Sequence, residues 1–145
     1  TPSLALGTFE VKVLDMAVAY TSIANGGYAV WPYAIQEIYT KDGYQLYMRE
    51  PDEPNRIIED YAAEEMRDML ERVINSGTGK KAKLPFFAAG KTGTSQDYRD
   101  AWFVGFTDKY VAAVWVGNDN NSPMKGVTGG NVPAEIWKQI MQVAV

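Results

Sequence analysis

Residues 88–106 read AAGKTGTSQDYRDAWFVGF. The fold turns on whether Gly90-Lys91-Thr92 closes a phosphate-binding loop or Lys91-Thr92-Gly93-Thr94 belongs to a strand. A phosphate loop needs a Gly, four residues, then Gly-Lys-Thr or Gly-Lys-Ser, with a helix following. Counting back from Gly90, the first Gly should stand at 85, and that residue is Pro85. The missing Gly matters because such a loop turns successive backbone N–H groups inward around the phosphates. No helix follows either, since Ser95-Gln96-Asp97-Tyr98-Arg99-Asp100 is a polar turn. A second candidate, Gly77-Thr78-Gly79-Lys80, fails in the same way, with Ile74 where the first Gly belongs. The strand reading stands, and the apolar run Trp102–Phe106 continues it as a second strand.

Outward from this stretch, the chain punctuates itself. Strands are predicted over about 86–95, 100–107 and 110–117, with Thr107-Asp108-Lys109 short enough for an antiparallel hairpin. The apolar runs in the second and third strands suit a sheet covered on both faces. Upstream, residues 61–75 predict a helix whose apolar stripe is Met66, Met69, Leu70, Val73 and Ile74, with Arg67 off it, ended by Gly77 and Gly79. Those methionines read as core. Residues 10–24 predict another helix, ended by Asn25-Gly26-Gly27. The aromatic, β-branched segment 28–40, a turn at Asp42-Gly43 and Tyr44–Met48 predict two small strands before the Pro-rich loop 50–55. After a polar, Gly-rich loop at 118–131, Pro133 opens a last helix with Ile136, Trp137, Ile140 and Met141 on one face. Trp31, Trp102, Trp115 and Trp137 read as core residues. Helix, small strands, helix, three antiparallel strands and helix together give an α+β fold, an antiparallel sheet flanked by helices.

Composition narrows the chemistry. The chain has 145 residues, enough for one domain, with 46% hydrophobic and 22% charged residues. Net charge is −4 and no Lys/Arg run occurs, so a general nucleic-acid surface is not expected. With no Cys and no His, Cys nucleophiles, His general bases and almost all zinc sites are excluded within the chain. No apolar run approaches the ~20 residues of a membrane span. The chain begins at Thr1 without Met, which suggests a fragment or processed product. An N-terminal Thr can be a nucleophile, but nothing near Thr1 supplies supporting chemistry.

The 88–95 strand carries the candidate site. Thr92 and Thr94, two apart, point to one face. Two hydroxyls on one face can both donate to a carboxylate, and Lys91 adds positive charge beside them. Gly93 marks a close backbone approach. The pattern suits a small anion at the end of an extended peptide docked by strand addition. Simple alternation puts Lys91 on the face opposite Thr92, so its ammonium must reach around an edge. The structural alternative is an edge strand whose Lys discourages aggregation.

Lys91-Thr92-Gly93-Thr94 followed by Asp100-Ala101-Trp102-Phe103-Val104-Gly105-Phe106 resembles the third motif and following strand of the penicillin-binding transpeptidases, whose site combines S-x-x-K, S-x-N and K-T-G. PSLALGTFEV at 2–11, YTSIANGGY at 20–28, INSGTGKKA at 74–82 and VTGGNVPAEIWK at 127–138 resemble, in order, the bifunctional class A penicillin-binding proteins. The resemblance covers essentially the whole chain. It implies the β-lactamase/DD-transpeptidase-like fold, a five-stranded antiparallel sheet between helix layers. It also implies acyl transfer through a Ser that attacks the penultimate D-Ala carbonyl of a peptidoglycan stem peptide and is acylated by β-lactams. By the same resemblance, Lys91 holds the electrostatics beside the S-x-N serine. The Thr92 and Thr94 hydroxyls bind the terminal carboxylate, and the Thr94 N–H is one of two oxyanion donors, while Gly93 allows close approach. No cofactor is implied. The implied location is the outer, periplasmic face of the bacterial cytoplasmic membrane, with the membrane anchor outside this chain.

Two of the three motifs are not found here. Ser122-Pro123-Met124-Lys125 matches S-x-x-K but lies in a loop by every local signal and follows K-T-G instead of preceding it. No Ser stands two residues before an Asn. Residues 1–145 are therefore expected to be the C-terminal portion of a transpeptidase domain whose upstream part is its partner and carries the nucleophile. The alternatives are a non-catalytic module of the same fold that docks cell-wall peptide, and a β-lactamase. Val127-Thr128-Gly129-Gly130 either borders the site or merely leads into the last helix. Arg99 and Asp100 either contact substrate or form a solvated turn, the turn being the simpler expectation.

Overall fold

The computed structural model describes Gly7 and residues 9–145, so Thr1 and most of the 2–11 stretch lie outside the described residues. Its elements are α1 (Val13–Ala24), β1 (Glu37–Tyr39), β2 (Gln45–Met48), α2 (Asp60–Asn75), β3 (Ala89–Thr94), β4 (Asp100–Phe106), β5 (Val111–Gly117) and α3 (Val132–Ala144). Helix, small hairpin, helix, antiparallel sheet and helix follow one another as expected, and the fold is α+β. The main sheet has the order β3-β4-β5 among the described residues, against the five strands implied for a whole domain. The β1–β2 hairpin stands apart from it.

β3 and β4 pair in continuous antiparallel register from Ala89↔Phe106 to Thr94↔Ala101, and β4 and β5 from Asp100↔Gly117 to Phe106↔Val111. Because side chains alternate along a strand, Thr92, Thr94, Ala101, Phe103, Ala112, Val114 and Val116 share one face. Lys91, Gly93, Trp102, Val104, Phe106 and Trp115 share the other. α3 covers the first face: Phe103, Val114, Ala134, Trp137 and Met141 form one cluster with Ile74 of α2. The Trp137 ring lies 5.2 Å from that of Phe103, and its Nε1–H donates to the Gly105 carbonyl at 3.2 Å. On the second face, Ala89, Phe106 and Leu70 of α2 pack with Tyr20, Ile23 and Ala24 of α1. The sheet is thus covered on both faces, as the apolar runs predict, and α2 feeds both clusters.

The predicted helical stripes hold in part. In α2 the buried line runs through Ala63, Leu70 and Ile74, with part-buried Arg67 between them, while Met66 and Met69 are exposed. Arg67 sits on the inward line because its charge is satisfied there. It donates to the Ala24 carbonyl at 2.7 Å, pairs with Asp108 at 3.3 Å, and lies 4.6 Å from the Phe87 ring centroid. In α3, Pro133, Ala134, Trp137 and Met141 are buried, and Ile136 and Ile140 are exposed. Of the four tryptophans only Trp137 is fully core. Trp102 is half-buried and Trp115 exposed, its Nε1–H donating to Asp100 at 2.9 Å. Trp31 is 64% exposed, in a segment before β1 that has no partner strand among the described residues. The same lack of a partner shortens the expected 28–40 strand to Glu37–Tyr39, apart from one bridge between Tyr28 and Arg56.

The Asn25-Gly26-Gly27 stop is closely fitted. Gly27 has φ +101°, and a Cβ there would lie 2.1 Å from the Ile58 carbonyl oxygen. Its own carbonyl accepts from the Ile57 and Ile58 amides, and Arg56 donates to Gly26 O at 2.7 Å, tying the end of α1 to the start of α2.

Candidate functional site

The Lys91–Thr94 segment is the outer strand of the main sheet among the described residues. The Ser95 N–H donates to the Asp100 carbonyl at 2.9 Å, so that pair is hydrogen-bonded. Pairs alternate along an antiparallel ladder. Gly93–Trp102 is then the next hydrogen-bonded pair, and Thr92 and Thr94 turn their N–H and C=O groups away from β4, to the free edge. The Lys91 ammonium answers the geometric difficulty raised by alternation. Its Nζ donates to the Thr92 carbonyl at 2.9 Å, so it has reached around to that edge.

Both threonine hydroxyls have partners in glycine-rich turns. Gly129 N–H donates to Thr94 Oγ1 at 3.0 Å. Thr78 Oγ1 and Thr92 Oγ1 lie 2.7 Å apart. The 127–130 loop therefore borders this strand as well as leading into α3. It seats so closely that a Cβ on Gly129 would fall 2.3 Å from Trp102 O and 2.5 Å from Gly93 O, and one on Gly130 2.4 Å from Thr78 O. Asn131 caps α3 and holds the loop: its Oδ1 accepts from Val132 N at 2.6 Å and from Thr128 N at 2.8 Å. Gly93 carries no side chain, and on the opposite face a Cβ would meet Trp102 Cβ at 3.2 Å. That absence clears the Trp102 side of the strand, while Gly129 docks on the threonine face.

Four residues named from the sequence, Lys91, Thr92, Gly93 and Thr94, are thus brought together with Thr78 and Gly129, which the motif does not name. Their signal was weak: Thr78 is a threonine between two glycines, and Gly129 lies in a loop whose role the sequence left open. Arg99 and Asp100 are structural here. Asp100 accepts from Ser95 Oγ at 2.9 Å and from Trp115, and Arg99 donates to the Asn121 carbonyl. The turn they close holds Asp97 at φ 60° and Tyr98 at φ 57°. Ser122 and Lys125 lie in a non-helical loop, so one helical turn does not bring them together.

What the arrangement offers chemically is an edge with backbone donors and acceptors, one ammonium, and two hydroxyls that each accept within the chain or can do so. A hydroxyl that accepts keeps its own proton for an anion. Among the described residues, no group of acidic side chains is placed to hold a metal ion. No helix among them is long and apolar enough to cross a membrane.

Residues 1–142 match the family described as penicillin binding protein transpeptidase domain. Penicillin-binding protein 1A of Aquifex aeolicus is 39% identical over 143 residues, which are 97% of this chain and 20% of that protein. The chain spans about a fifth to a quarter of the length of the curated relatives it matches. The solved structure of PonA1 from Mycobacterium tuberculosis in complex with penicillin V superposes with a TM-score of 0.90 at 28% identity, covering 99% of this chain and 41% of that one. The D,D-transpeptidase domain of a peptidoglycan glycosyltransferase from Eggerthella lenta gives 0.78 at 27% identity, covering 92% and 32%. With a family match over nearly its whole length and a fold shared with transpeptidase domains, this chain belongs to the penicillin-binding protein transpeptidase family.

Proposed function

We propose that this chain is the C-terminal portion of a peptidoglycan D,D-transpeptidase domain and supplies the wall that binds the D-Ala-D-Ala end of a stem peptide. The observation that carries the reading is the free edge of β3, with Lys91 Nζ on the Thr92 carbonyl and the Thr94 N–H turned outward. A peptide laid along that edge gains backbone hydrogen bonds. Its terminal carboxylate is received by the Thr92 and Thr94 hydroxyls, and each hydrogen bond to such a charge is worth about 1.5–3 kcal/mol. The Ser nucleophile belongs to an upstream segment of the same domain. Its Oγ attacks the penultimate carbonyl, and the Thr94 N–H stabilises the oxyanion, a role worth about 2.7–4 kcal/mol per donor. The C–N bond breaks, the last D-Ala leaves with a proton, and an amine of a second stem then takes the acyl group. Lys91 supplies positive charge next to the S-x-N serine. β-Lactams acylate the same Ser, in keeping with the penicillin V complex of PonA1. The site works at the outer face of the bacterial cytoplasmic membrane, with the anchor elsewhere in the protein.

The test is labelling with a fluorescent penicillin. The parent protein containing the upstream segment is expected to label covalently at a Ser of that segment, and residues 1–145 alone are not. A covalent adduct on the isolated chain would overturn the missing-nucleophile reading. A parent that binds stem peptide but never acylates would establish instead a docking module of the same fold.

A further inference from the structure

Thr78 sits 14 residues before Thr92 and outside the Lys91–Thr94 motif, yet its hydroxyl is 2.7 Å from that of Thr92. Its position is built. The turn Ser76-Gly77-Thr78-Gly79 folds back over the end of α2, with Gly77 N–H on the Arg72 carbonyl at 3.0 Å and Gly79 N–H on the Val73 carbonyl at 2.9 Å. Both glycines are closely packed: a Cβ on Gly77 would lie 2.9 Å from Val73 O and force a shift, and one on Gly79 would lie tightly, 3.1 Å from the Phe103 ring. The Thr78 carbonyl in turn lies against Gly130, so the turn after α2 and the loop before α3 meet at this point.

The direction of the proton between the two oxygens decides what Thr92 offers. If Thr92 donates to Thr78, it shows only lone pairs to an incoming carboxylate and repels it. If Thr78 donates, the Thr92 proton is free. At the neighbouring hydroxyl the direction is fixed: Thr94 Oγ1 accepts from the Gly129 N–H, which cannot reverse, and keeps its own proton free. Resting on the transpeptidase reading above, we infer that Thr78 is a positioning residue that donates to Thr92 and thereby turns the Thr92 proton toward the substrate carboxylate, as Gly129 does for Thr94. A donor behind each hydroxyl also polarises it, so the two-bond chain binds an anion better than an isolated hydroxyl.

The experiment uses the parent protein and measures second-order acylation rates for a penicillin with its free carboxylate and for the methyl ester of that carboxylate. Thr78→Val, which keeps the shape and removes the hydroxyl, is expected to slow acylation by the acid about tenfold, the worth of one hydrogen bond, and to leave the ester rate unchanged. Thr78→Ser is expected to restore the acid rate. In a Thr92→Val background, Thr78→Val is expected to add no further loss, because its effect passes through Thr92. Thr78 is exposed, so folding is not threatened, and a thermal melt of each variant checks it. An unchanged acid rate in Thr78→Val overturns the inference. So do equal losses for acid and ester, and additive losses in the double variant. A parent that no penicillin acylates sinks the transpeptidase reading instead.

Discussion

Lys91 is exposed and contributes its ammonium to a strand edge instead of to the core. Its removal should therefore separate activity from folding. Lys91→Ala in the parent protein is expected to cut penicillin acylation at least tenfold while shifting the melting temperature by only a few degrees, because exposed substitutions away from special features change stability by about 0.5 kcal/mol or less. An unchanged acylation rate would count against the role given to Lys91. Gly129 should behave oppositely. A Cβ there would overlap the Trp102 carbonyl at 2.3 Å, so Gly129→Ala must lift the loop off β3 and break the bond to Thr94. It is expected to lower both stability and acylation, checked by a melt and by the same labelling rate. At this scale the sequence was informative about Lys91 to Thr94, because a strand period places neighbouring residues in space directly. Thr78 and Gly129 escaped it, since their partners lie 14 and 35 residues away and no local pattern encodes that distance.

At the scale of elements, α1, α2 and the β4–β5 hairpin are joined by one side chain. Arg67 occupies the last free acceptor region of α1 through the Ala24 carbonyl, stacks on Phe87, and reaches Asp108 in the hairpin turn. Replacing it with Met keeps the aliphatic stem and leaves that carbonyl unpaired. Arg67→Met is expected to cost about 1–3 kcal/mol in denaturant unfolding and to speed hydrogen exchange at the C-terminal amides of α1 more than in α3. Hydrophobic periodicity located α2 but rotated its buried line, because a charged residue was assumed to face water. Arg67 faces inward since a carbonyl, a carboxylate and the Phe87 and Phe106 rings accept its guanidinium. The Asn25-Gly26-Gly27 stop and the β4–β5 turn were legible, being local backbone chemistry. The extent of β1 was not, since a strand ends where its partner does.

For the molecule as a whole, exposed apolar side chains cluster on the outer faces of the helices: Val13 and Leu14 on α1, Met66 and Met69 on α2, and Ile136, Ile140 and Val143 on α3. Residues 1–145 alone are expected to bind a hydrophobic dye and to sediment as a concentration-dependent associating species, and the parent protein is not. Equal dye binding per molecule by both would mean that the upstream segment does not cover these faces. The overall α+β class was readable from the element order, whereas the exposure of these faces was not, because a helical stripe does not encode which neighbour covers it. The connection between β3 and β4 has a different consequence. Ser95, Asp100 and Trp115 lock it at one length, and the pairing beyond it runs without a bulge. It therefore works as a ruler. Lengthening it by one residue would slide β3 by a single step if pairing were kept, turning the two threonines outward and swinging the lysine toward α3. Two added residues would restore the parity of the faces, so for this wall an odd insertion is more damaging than an even one twice its size.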